Sequence, residues 1–450
     1  EETQEKYMQS QRVKDFMNYQ ITNVMQEYTP ELDQMLFYLP LSGSTFKKVY
    51  YDAQLGRAVS KFIPAEDLVV PYSATDIETC ERITHRVQMS ENEVRKKQVS
   101  GFYRDVELQA YDDTTTYSAY DVKDKIDRLE GVEPTGEGMM MSLLEFHVNL
   151  DLIGYEDKNG EENSGIKIPY IVTIDEGTRK VLSIRRNFKE DDPNYTKQEY
   201  FVHFKFLQGL GFYGFGLVHL IGGLSRSATQ ALRQLLDSGT LSNLPAGFKA
   251  RGLRIRDDDS PLQPGEFRDV DAPGGAIRDG LMPLPYKEPS QTLFALLGFV
   301  VQAGQRFAQI ADMQVGDANQ GAPVGTTIAL LERGSRIMSS IHKRIYYSMK
   351  KEFRLLADVI KTYLPPEYPY AVIGGNRMIK SDDFDDTIDV IPVADPNMFS
   401  MAQRIQLAQT QLQLATSAPQ LHNIKEAYRR MYEALGVADI DKIMKLDKPE

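Results

Sequence analysis

Two apolar segments with helical spacing enclose a polar, turn-rich insert, and this arrangement constrains the fold more than any other feature of the chain. The first segment covers residues 217–236 and the second covers residues 293–310. The insert, residues 243–289, is rich in proline, glycine, aspartate and arginine, which favour turns. A glycine-flanked stretch (316–325) and a long helical pattern (326 to about 363) follow. This order predicts a helical stalk with a small tip, a returning helix, a mobile loop and a long helix. Such an arrangement is more typical of a structural component of an assembly than of an enzyme active site.

The second apolar segment is hydrophobic around nearly its whole circumference. A surface helix has a narrower apolar stripe, whereas a helix that is apolar all round is covered on several sides. We expect the first apolar segment and neighbouring copies of the chain to provide this cover, which predicts a homo-oligomer. The residues expected to pack between subunits are Leu293, Phe294, Leu297, Val300 and Val301.

The rest of the sequence mixes helical and strand patterns, which predicts an α+β fold. Helix is predicted for residues 1–38, with an interruption at Pro30, and for residues 77–97, where Ser90 and Glu93 form a capping box. Because the sequence begins at Glu1 inside a predicted helix, we expect a segment to precede it.

Strand-like segments about ten residues apart predict an antiparallel sheet. They cover residues 142–153, 168–174, 181–186 and 200–207. Residues 45–70 predict a separate hairpin that turns near residues 54–57. After the long helix, a strand is predicted at 387–393, followed by helices at 398–414 and 421–435.

Composition limits the class of protein. With 450 residues, the chain is long enough for two or three domains. The single cysteine, Cys80, cannot form an intrachain disulfide, which suits a reducing cytoplasm, and is expected to be a buried side chain. The formal net charge is −12, whereas proteins that hold DNA tightly are basic. This charge argues against a tight DNA-binding protein but is compatible with a protein along which DNA slides.

A glycine-rich motif, GLGFYGFG at residues 209–216, is the main alternative to a purely structural role. Gly209, Gly211 and Gly214 match the G-x-G-x-x-G pattern of dinucleotide-binding loops. The second parallel strand and the acidic residue that complete such a unit are not apparent in the sequence. We therefore expect these glycines to let a sheet turn abruptly into the stalk, while a nucleotide-binding enzyme stays open as an alternative.

Other catalytic patterns are absent from the sequence. It contains no phosphate-binding loop of the G-x-x-x-x-G-K-[ST] type and no G-x-S-x-G nucleophile motif. The six histidines are far apart and follow no metal-binding spacing. We expect no catalytic residues, no metal and no cofactor, and therefore no enzyme.

The polar insert contains a cluster of opposite charges. Its members are Lys249, Arg251, Arg254, Arg256, Asp257 and Asp258. The cluster is either a solvated edge strand and turn or a surface that contacts phosphates or a protein partner.

The order of these parts resembles the portal proteins of tailed double-stranded DNA bacteriophages. Two stretches carry the resemblance to the short-tailed, P22-like group: ALRQLLDSGTLSNLPAGF (231–248) and DFDDTIDVIPVADPNMFSMAQRIQLAQTQLQLA (383–415). The resemblance covers most of the chain and is strongest from about residue 209 onward. It is a likeness of pattern and order, without a catalytic signature.

The resemblance implies a portal fold in which each segment has a named part. The parts are a wing (1–208), a first stem helix (209–242), a clip (243–288), a second stem helix (289–313), a tunnel loop (314–325), the long helix and strands of the wing (326–395), and a helical crown (396–450). The tunnel-loop residues expected to face DNA in the channel are Gln314, Asp317, Asn319, Gln320 and Pro323. The charged cluster of the insert would lie in the clip.

The resemblance also implies partners and a location. A dodecameric ring would occupy one capsid vertex of the virion, after assembly in the host cytoplasm, and double-stranded DNA would pass through its centre. The terminase motor and a tail adaptor would dock on the ring, and major capsid and scaffolding proteins would surround it. ATP hydrolysis would belong to the motor, and no stable membrane association is expected. A membrane-inserting pore built from the two apolar helices is the remaining alternative.

Overall fold

The computed structural model divides the chain into two compact units, residues 1–216 with 324–450, and residues 217–323. We call them the sheet unit and the hairpin unit. The structure describes residues 4–108, 131, 140–159, 162–189, 192–243, 247–249, 254–255, 270–271, 281–283, 288–308, 324–372, 375–385, 389–392, 401–437 and 440–444.

The N-terminal region is helical, as the sequence predicts. Helix α1 (Gln4–Tyr19) continues into a short π-helix (Gln20–Val24), and α2 covers Tyr28–Ser42. Pro30 lies in the first turn of α2, where a missing backbone N–H leaves no helical hydrogen bond unmade. The predicted interruption therefore falls just before α2 and not at Pro30.

A first antiparallel sheet follows α2 directly. Its strands are β1 (Ser44–Asp52), β2 (Arg57–Pro64) and β10 (Phe201–Lys205), in the order β10-β1-β2. The hairpin predicted within residues 45–70 is confirmed, and Gly56 adopts φ +65° in its turn.

A second antiparallel sheet has the order β3-β4-β5-β8-β9. Its strands are β3 (Leu68–Val69), β4 (Arg82–Ser90), β5 (Met140–Leu150), β8 (Ile168–Asp175) and β9 (Val181–Arg186). The short pair β6 (Lys158–Asn159) and β7 (Glu162–Asn163) lies between β5 and β8 in the chain, and α3 (Glu91–Val99) follows β4.

Two predictions for this region need correction. The helix predicted over 77–97 is wrong for residues 77–90. Residues 77–81 are irregular, and β4 pairs with β3 and β5, so that tertiary pairing overrides local preference. The capping box is confirmed: the Glu93 N–H donates to Ser90 Oγ, and the Ser90 N–H donates to the Glu93 carboxylate. The strand predicted at 200–207 does not join this sheet, since β10 pairs with β1.

Within its described residues, the hairpin unit contains two helices and two small strand pairs. Helix α4 covers Leu217–Asn243 and α5 covers Gln291–Ala308, as the two apolar segments predict. Between them, β11 (Gly247–Lys249) pairs with β14 (Leu281–Pro283), and β12 (Arg254–Ile255) pairs with β13 (Val270–Asp271).

The last part of the chain returns to the sheet unit. Helix α6 (Val324–Tyr363) confirms the long helical pattern, and the pair β15 (Glu367–Val372) and β16 (Gly375–Lys380) follows it. The strand predicted at 387–393 is wrong where it can be checked, because residues 389–392 are irregular. Helices α7 (Met401–Ser417), α8 (Ile424–Ala434) and α9 (Ile440–Ile443) follow in the described residues, and the α+β class is confirmed.

The sheet unit has its own hydrophobic core. Phe16 of α1 packs edge-on against Tyr370 and Phe384, and Leu356 of α6 belongs to the same buried cluster. A second cluster surrounds Phe46, on the opposite face of the first sheet from α6, and includes Cys80, which is buried as predicted.

A candidate assembly surface on the helical hairpin

Helices α4 and α5 pack against each other within the hairpin unit. A Cβ atom added to Gly239, near the end of α4, would lie 3.8 Å from Cγ of Pro289, which directly precedes α5. The chain therefore returns beside the end of α4, and the two helices form an antiparallel hairpin.

This hairpin lacks a buried core of its own. Helix α4 is described over its whole length of 27 residues and contains no buried residue. Residues 291–306 of α5 likewise include none. A helix pair with this much apolar sequence and no buried side chain presents hydrophobic surface to its surroundings.

The half-exposed positions of α5 identify the face that packs on α4. Leu293, Leu297 and Val300 are three or four residues apart and are less exposed than their neighbours. Phe294 and Val301 lie beside this row, and Phe294 is 67% exposed. The five residues predicted to pack between subunits thus fall into two groups, one facing α4 and one facing outward.

The exposed apolar residues form two rows on opposite sides of the hairpin. At 100° per residue, Phe294 and Val301 lie on one side of the row that faces α4, while Leu296 and Phe299 lie on the other side. Exposed apolar residues of α4 lie on the same two sides of the antiparallel hairpin and extend each row. Flank A consists of Val218, Leu232, Leu236, Phe294 and Val301, and flank B consists of Leu220, Leu241, Leu296 and Phe299.

The two remaining faces of the hairpin are polar. On α4, the side away from α5 has His219, Arg226 and Arg233, which recur every seven residues. On α5, the side away from α4 has small or uncharged side chains, which are Gln291, Ala295, Gly298, Gln302 and Gln305. Apolar flanks thus alternate with polar outer faces around the hairpin.

The other predicted site residues lie mostly outside the described residues. Lys249 is the last residue of β11 and Arg254 is the first residue of β12, so the insert is strand-like at both positions. The residues outside the described part of the chain are Arg251, Arg256, Asp257 and Asp258 of the charged cluster, and Gln314, Asp317, Asn319, Gln320 and Pro323 of the predicted tunnel loop.

The glycine-rich motif is packed against backbone. The Gly214 N–H donates to Ser44 Oγ at 2.7 Å, and a Cβ atom on Gly214 would lie 2.5 Å from the Leu207 carbonyl oxygen. The Phe215 N–H donates to the same oxygen at 2.9 Å. A phosphate-binding loop offers its backbone N–H groups to the ligand, whereas these two donate within the protein. The geometry favours the expected packing role of the glycines over a nucleotide loop.

Two consecutive lysines of the sheet unit, which the sequence did not mark as functional, are paired with carboxylates inside the fold. Lys47 and Lys48 are consecutive in β1, so strand alternation directs them to opposite faces of the sheet. Lys47 Nζ lies 2.9 Å from Glu352 Oε1 of α6, and both side chains are fully buried. Ser60 Oγ donates to the same carboxylate oxygen at 2.7 Å.

On the other face, Lys48 connects the two sheets. Its Nζ lies 2.6 Å from Oε1 of Glu145 in β5, and Nε2 of His147 lies 2.6 Å from the same oxygen. Burial raises the pKa of Glu145, but Lys48 and the hydrogen bond from His147 hold it well below its ordinary value. Burial also lowers the pKa of His147, which keeps the imidazole neutral and able to donate from Nε2.

These buried charges make a structural network. The described residues include no group of three or more His, Cys, Asp or Glu side chains placed to hold a metal ion. Within the same part of the chain, the structure contains no helix of the length and apolarity needed to cross a lipid bilayer.

Comparison with known proteins provides the family. The family model described as "Phage SU10 portal protein" matches residues 1–450. No curated protein matches the chain.

Proposed function

Because this chain belongs to the phage SU10 portal protein family, we propose that it forms the portal ring at one vertex of the capsid. In this proposal the ring, a dodecamer, is the conduit for genome packaging and ejection. The protein is a structural component of the virion, and the energy for packaging comes from a separate motor.

The observation that carries this proposal is the hairpin without a buried core. Its flanks expose large side chains such as Phe294 and Phe299, each 67% exposed in the single chain. Burying apolar surface contributes about 25 cal/mol per Å², so copies that cover each other's flanks are stabilised by association. A ring of hairpins would satisfy this requirement, and membership of the portal protein family supports such an arrangement.

The outer face of α5 supports a conduit for DNA. Among its described side chains at positions 291–306, the only charged residue is Arg306, and the outer face has glutamine, alanine and glycine instead. Fixed contacts to DNA phosphates would slow the movement of DNA, and a lining of this kind offers few such contacts. We therefore assign the α5 outer face to the channel, together with the tunnel loop at 314–325.

The hairpin tip supports the docking role. Between α4 and α5, the described residues form two short strand pairs, and the sequence contains the cluster of charged residues that includes Lys249 and Arg254. We assign this segment to the clip, which would contact the terminase motor during packaging and the tail adaptor afterwards. The sheet unit up to residue 395 would form the wing, facing capsid and scaffolding proteins, and its helices α7 and α8 would begin the crown.

Electron microscopy of the purified protein tests the proposal directly. We expect rings with a central hole wide enough for a DNA duplex, and class averages would count the subunits. A preparation that contains only monomers by sedimentation at micromolar concentration, without rings in the images, would rule the proposal out.

A further inference from the structure

We propose that Lys97, Phe102 and Arg185 form a docking site for an acidic segment of a partner protein. All three residues belong to the sheet unit. Lys97 lies in the last turn of α3, Phe102 follows that helix, and Arg185 lies in β9. The site is separate from the hairpin and goes beyond the role of the chain as a ring subunit.

The first argument is that two cations share one aromatic ring. Arg185 Cζ lies 4.2 Å from the centre of the Phe102 ring, and Lys97 Nζ lies 5.5 Å from it. Contacts of this length attract each cation to the ring but leave its charge uncompensated. The two like charges repel each other, and an anion bound beside both would relieve that repulsion.

The second argument is that these cations lack carboxylate partners. In the described part of the chain, neither Lys97 nor Arg185 makes an ion pair or a hydrogen bond through its charged group. The nearby Lys48 is already paired with Glu145. Burial, together with the charge of Lys48, lowers the pKa of the Lys97 ammonium, as expected for a cation that has lost water without gaining an ion pair. Arg185 is exposed, and its planar fork of donors suits a carboxylate.

The third argument is a pair of buried hydroxyl groups next to Arg185. Ser183 precedes Arg185 by two residues on the same face of β9, and Thr173 of β8 lies opposite Ser183. Both hydroxyl oxygens are buried and have no hydrogen-bond partner among the described residues, and Thr173 is only 1% exposed. Buried polar groups normally have a partner. A carboxylate held beside Arg185 would offer these hydroxyls the acceptor that they lack.

The charges around the site favour a protein segment over a nucleic acid. A nucleic acid carries phosphates along its whole length and binds to an extended basic surface. Here acids lie close by: Asp52 is among the charges that act on Lys97, and the exposed Asp105 follows Phe102 by three residues. A short segment with a few carboxylates needs only the two unpaired cations. Phe102, which is 39% exposed, would pack against apolar atoms beside those carboxylates.

Binding of a labelled peptide to the full chain tests the site. The probe is a fluorescein-labelled peptide in which glutamates flank a leucine, and its control has glutamine in place of each glutamate. Fluorescence anisotropy at low salt measures binding. Lys97→Met and Arg185→Gln each remove one cation. The matched controls are Lys96→Met, at the preceding position of α3, and Arg186→Gln, on the opposite face of β9. Circular dichroism would verify that all four variants fold.

We expect the wild-type chain to bind the glutamate peptide at least about 10-fold more tightly than the glutamine peptide, because charge-assisted hydrogen bonds are lost with the carboxylates. Lys97→Met and Arg185→Gln should each weaken binding of the glutamate peptide by at least about 10-fold. The two control variants should change it by less than about 2-fold.

Three outcomes would overturn the inference. Wild-type protein that binds the two peptides equally, or binds neither, would show that the site does not recognise carboxylates. Equal losses in Lys97→Met and Lys96→Met would indicate a general effect of charge without a site. Tighter binding of an oligonucleotide with the same net charge, lost in Lys97→Met and Arg185→Gln, would assign the site to nucleic acid. None of these results bears on ring formation, which electron microscopy tests separately.

Discussion

The sheet unit and the hairpin unit bury their apolar residues in different ways. In the sheet unit, α6 and the two sheets enclose residues such as Phe16, Phe46 and Leu356 within one chain. In the hairpin unit, α4 and α5 cover each other along one face only and leave large apolar side chains exposed. One unit has a core that a single copy completes, and the other has surfaces that further copies would complete.

This difference separates stability from assembly. A substitution in the core of the sheet unit should change the free energy of unfolding of a single chain. A substitution on a hairpin flank should leave that free energy nearly unchanged and affect association instead. The following measurements test the comparison on chains that carry Phe294→Glu and Leu236→Glu on flank A, which we expect to keep them monomeric.

The largest effect is expected for the buried ion pair. Glu352→Ala leaves Lys47 buried without its partner, which should reduce the free energy of unfolding by about 3–5 kcal/mol, as measured by urea denaturation. The double variant Lys47→Met with Glu352→Leu removes both charges and should regain most of that loss. If the single and double variants were equally unstable, the lost packing and not the unpaired charge would explain the effect.

Matched leucines test burial in the two units. Leu356 is fully buried in α6, whereas Leu296 is 51% exposed in α5. Leu356→Ala should destabilise the chain by about 2–5 kcal/mol through the lost contacts and the cavity. Leu296→Ala should change the unfolding free energy by about 0.5 kcal/mol or less. Similar losses at both positions would contradict the claim that the hairpin lacks a core within one copy.

The sheet unit should also be sensitive to acid. Desolvation lowers the pKa of both His85 and His203 to about 3, below the ordinary value of 6.5. As the pH falls, both imidazoles therefore gain a proton in the unfolded chain before they do so in the folded chain. The free energy of unfolding decreases as the pH falls below about 6.5. Between pH 7 and pH 5, each histidine should account for a loss of about 2 kcal/mol.

Asp67 acts in the opposite direction, because burial raises its pKa to about 6 and protonation then favours the folded state. Asp67 should therefore offset part of the histidine effect. Urea denaturation at pH 7 and pH 5 measures the sum, and His85→Gln should reduce the difference between the two values. An unfolding free energy that rises on acidification would contradict the assignment of buried neutral histidines.

Two positions of the glycine-rich motif provide the last comparison. A Cβ atom at Gly214 would approach backbone oxygens of Leu207 and Gly43 within 2.6 Å, whereas one at Gly211 meets nothing within 4 Å. Gly214→Ala should therefore destabilise the sheet unit by about 1–3 kcal/mol, and Gly211→Ala should be nearly neutral. Nucleotide binding that Gly211→Val abolishes would revive the enzyme alternative, and calorimetry with ATP or NAD would detect it.

The sequence by itself determined the elements whose signals are local. The apolar segments at 217–236 and 293–310 predicted α4 and α5, and the periodic pattern from 326 predicted α6, since helical spacing depends on residues three or four positions apart. The capping box at Ser90 and the hairpin before Gly56 are equally local. The resemblance to portal proteins rested on the order of these elements.

Only the tertiary structure decided what depends on distant residues. Residues 82–90 form a strand because β3 and β5 pair with them. Strand β10 pairs with β1 and not with the second sheet, to which its sequence pattern assigns it. The tertiary structure also buried Lys47 fully and left only 13% of the Lys48 side chain exposed. Both look like surface residues in the strand pattern, but Glu352 and Glu145 pair with them on opposite faces of the sheet.

On α5 the sequence showed that apolar residues surround the helix, but the position of α4 decided which of them face inward. Leu297 faces its partner helix, while Phe294 is left outside. Periodicity records the spacing of side chains along one element, whereas burial depends on which other elements pack around it. That information belongs to the folded chain and, for the flanks of the hairpin, to the assembly that we propose.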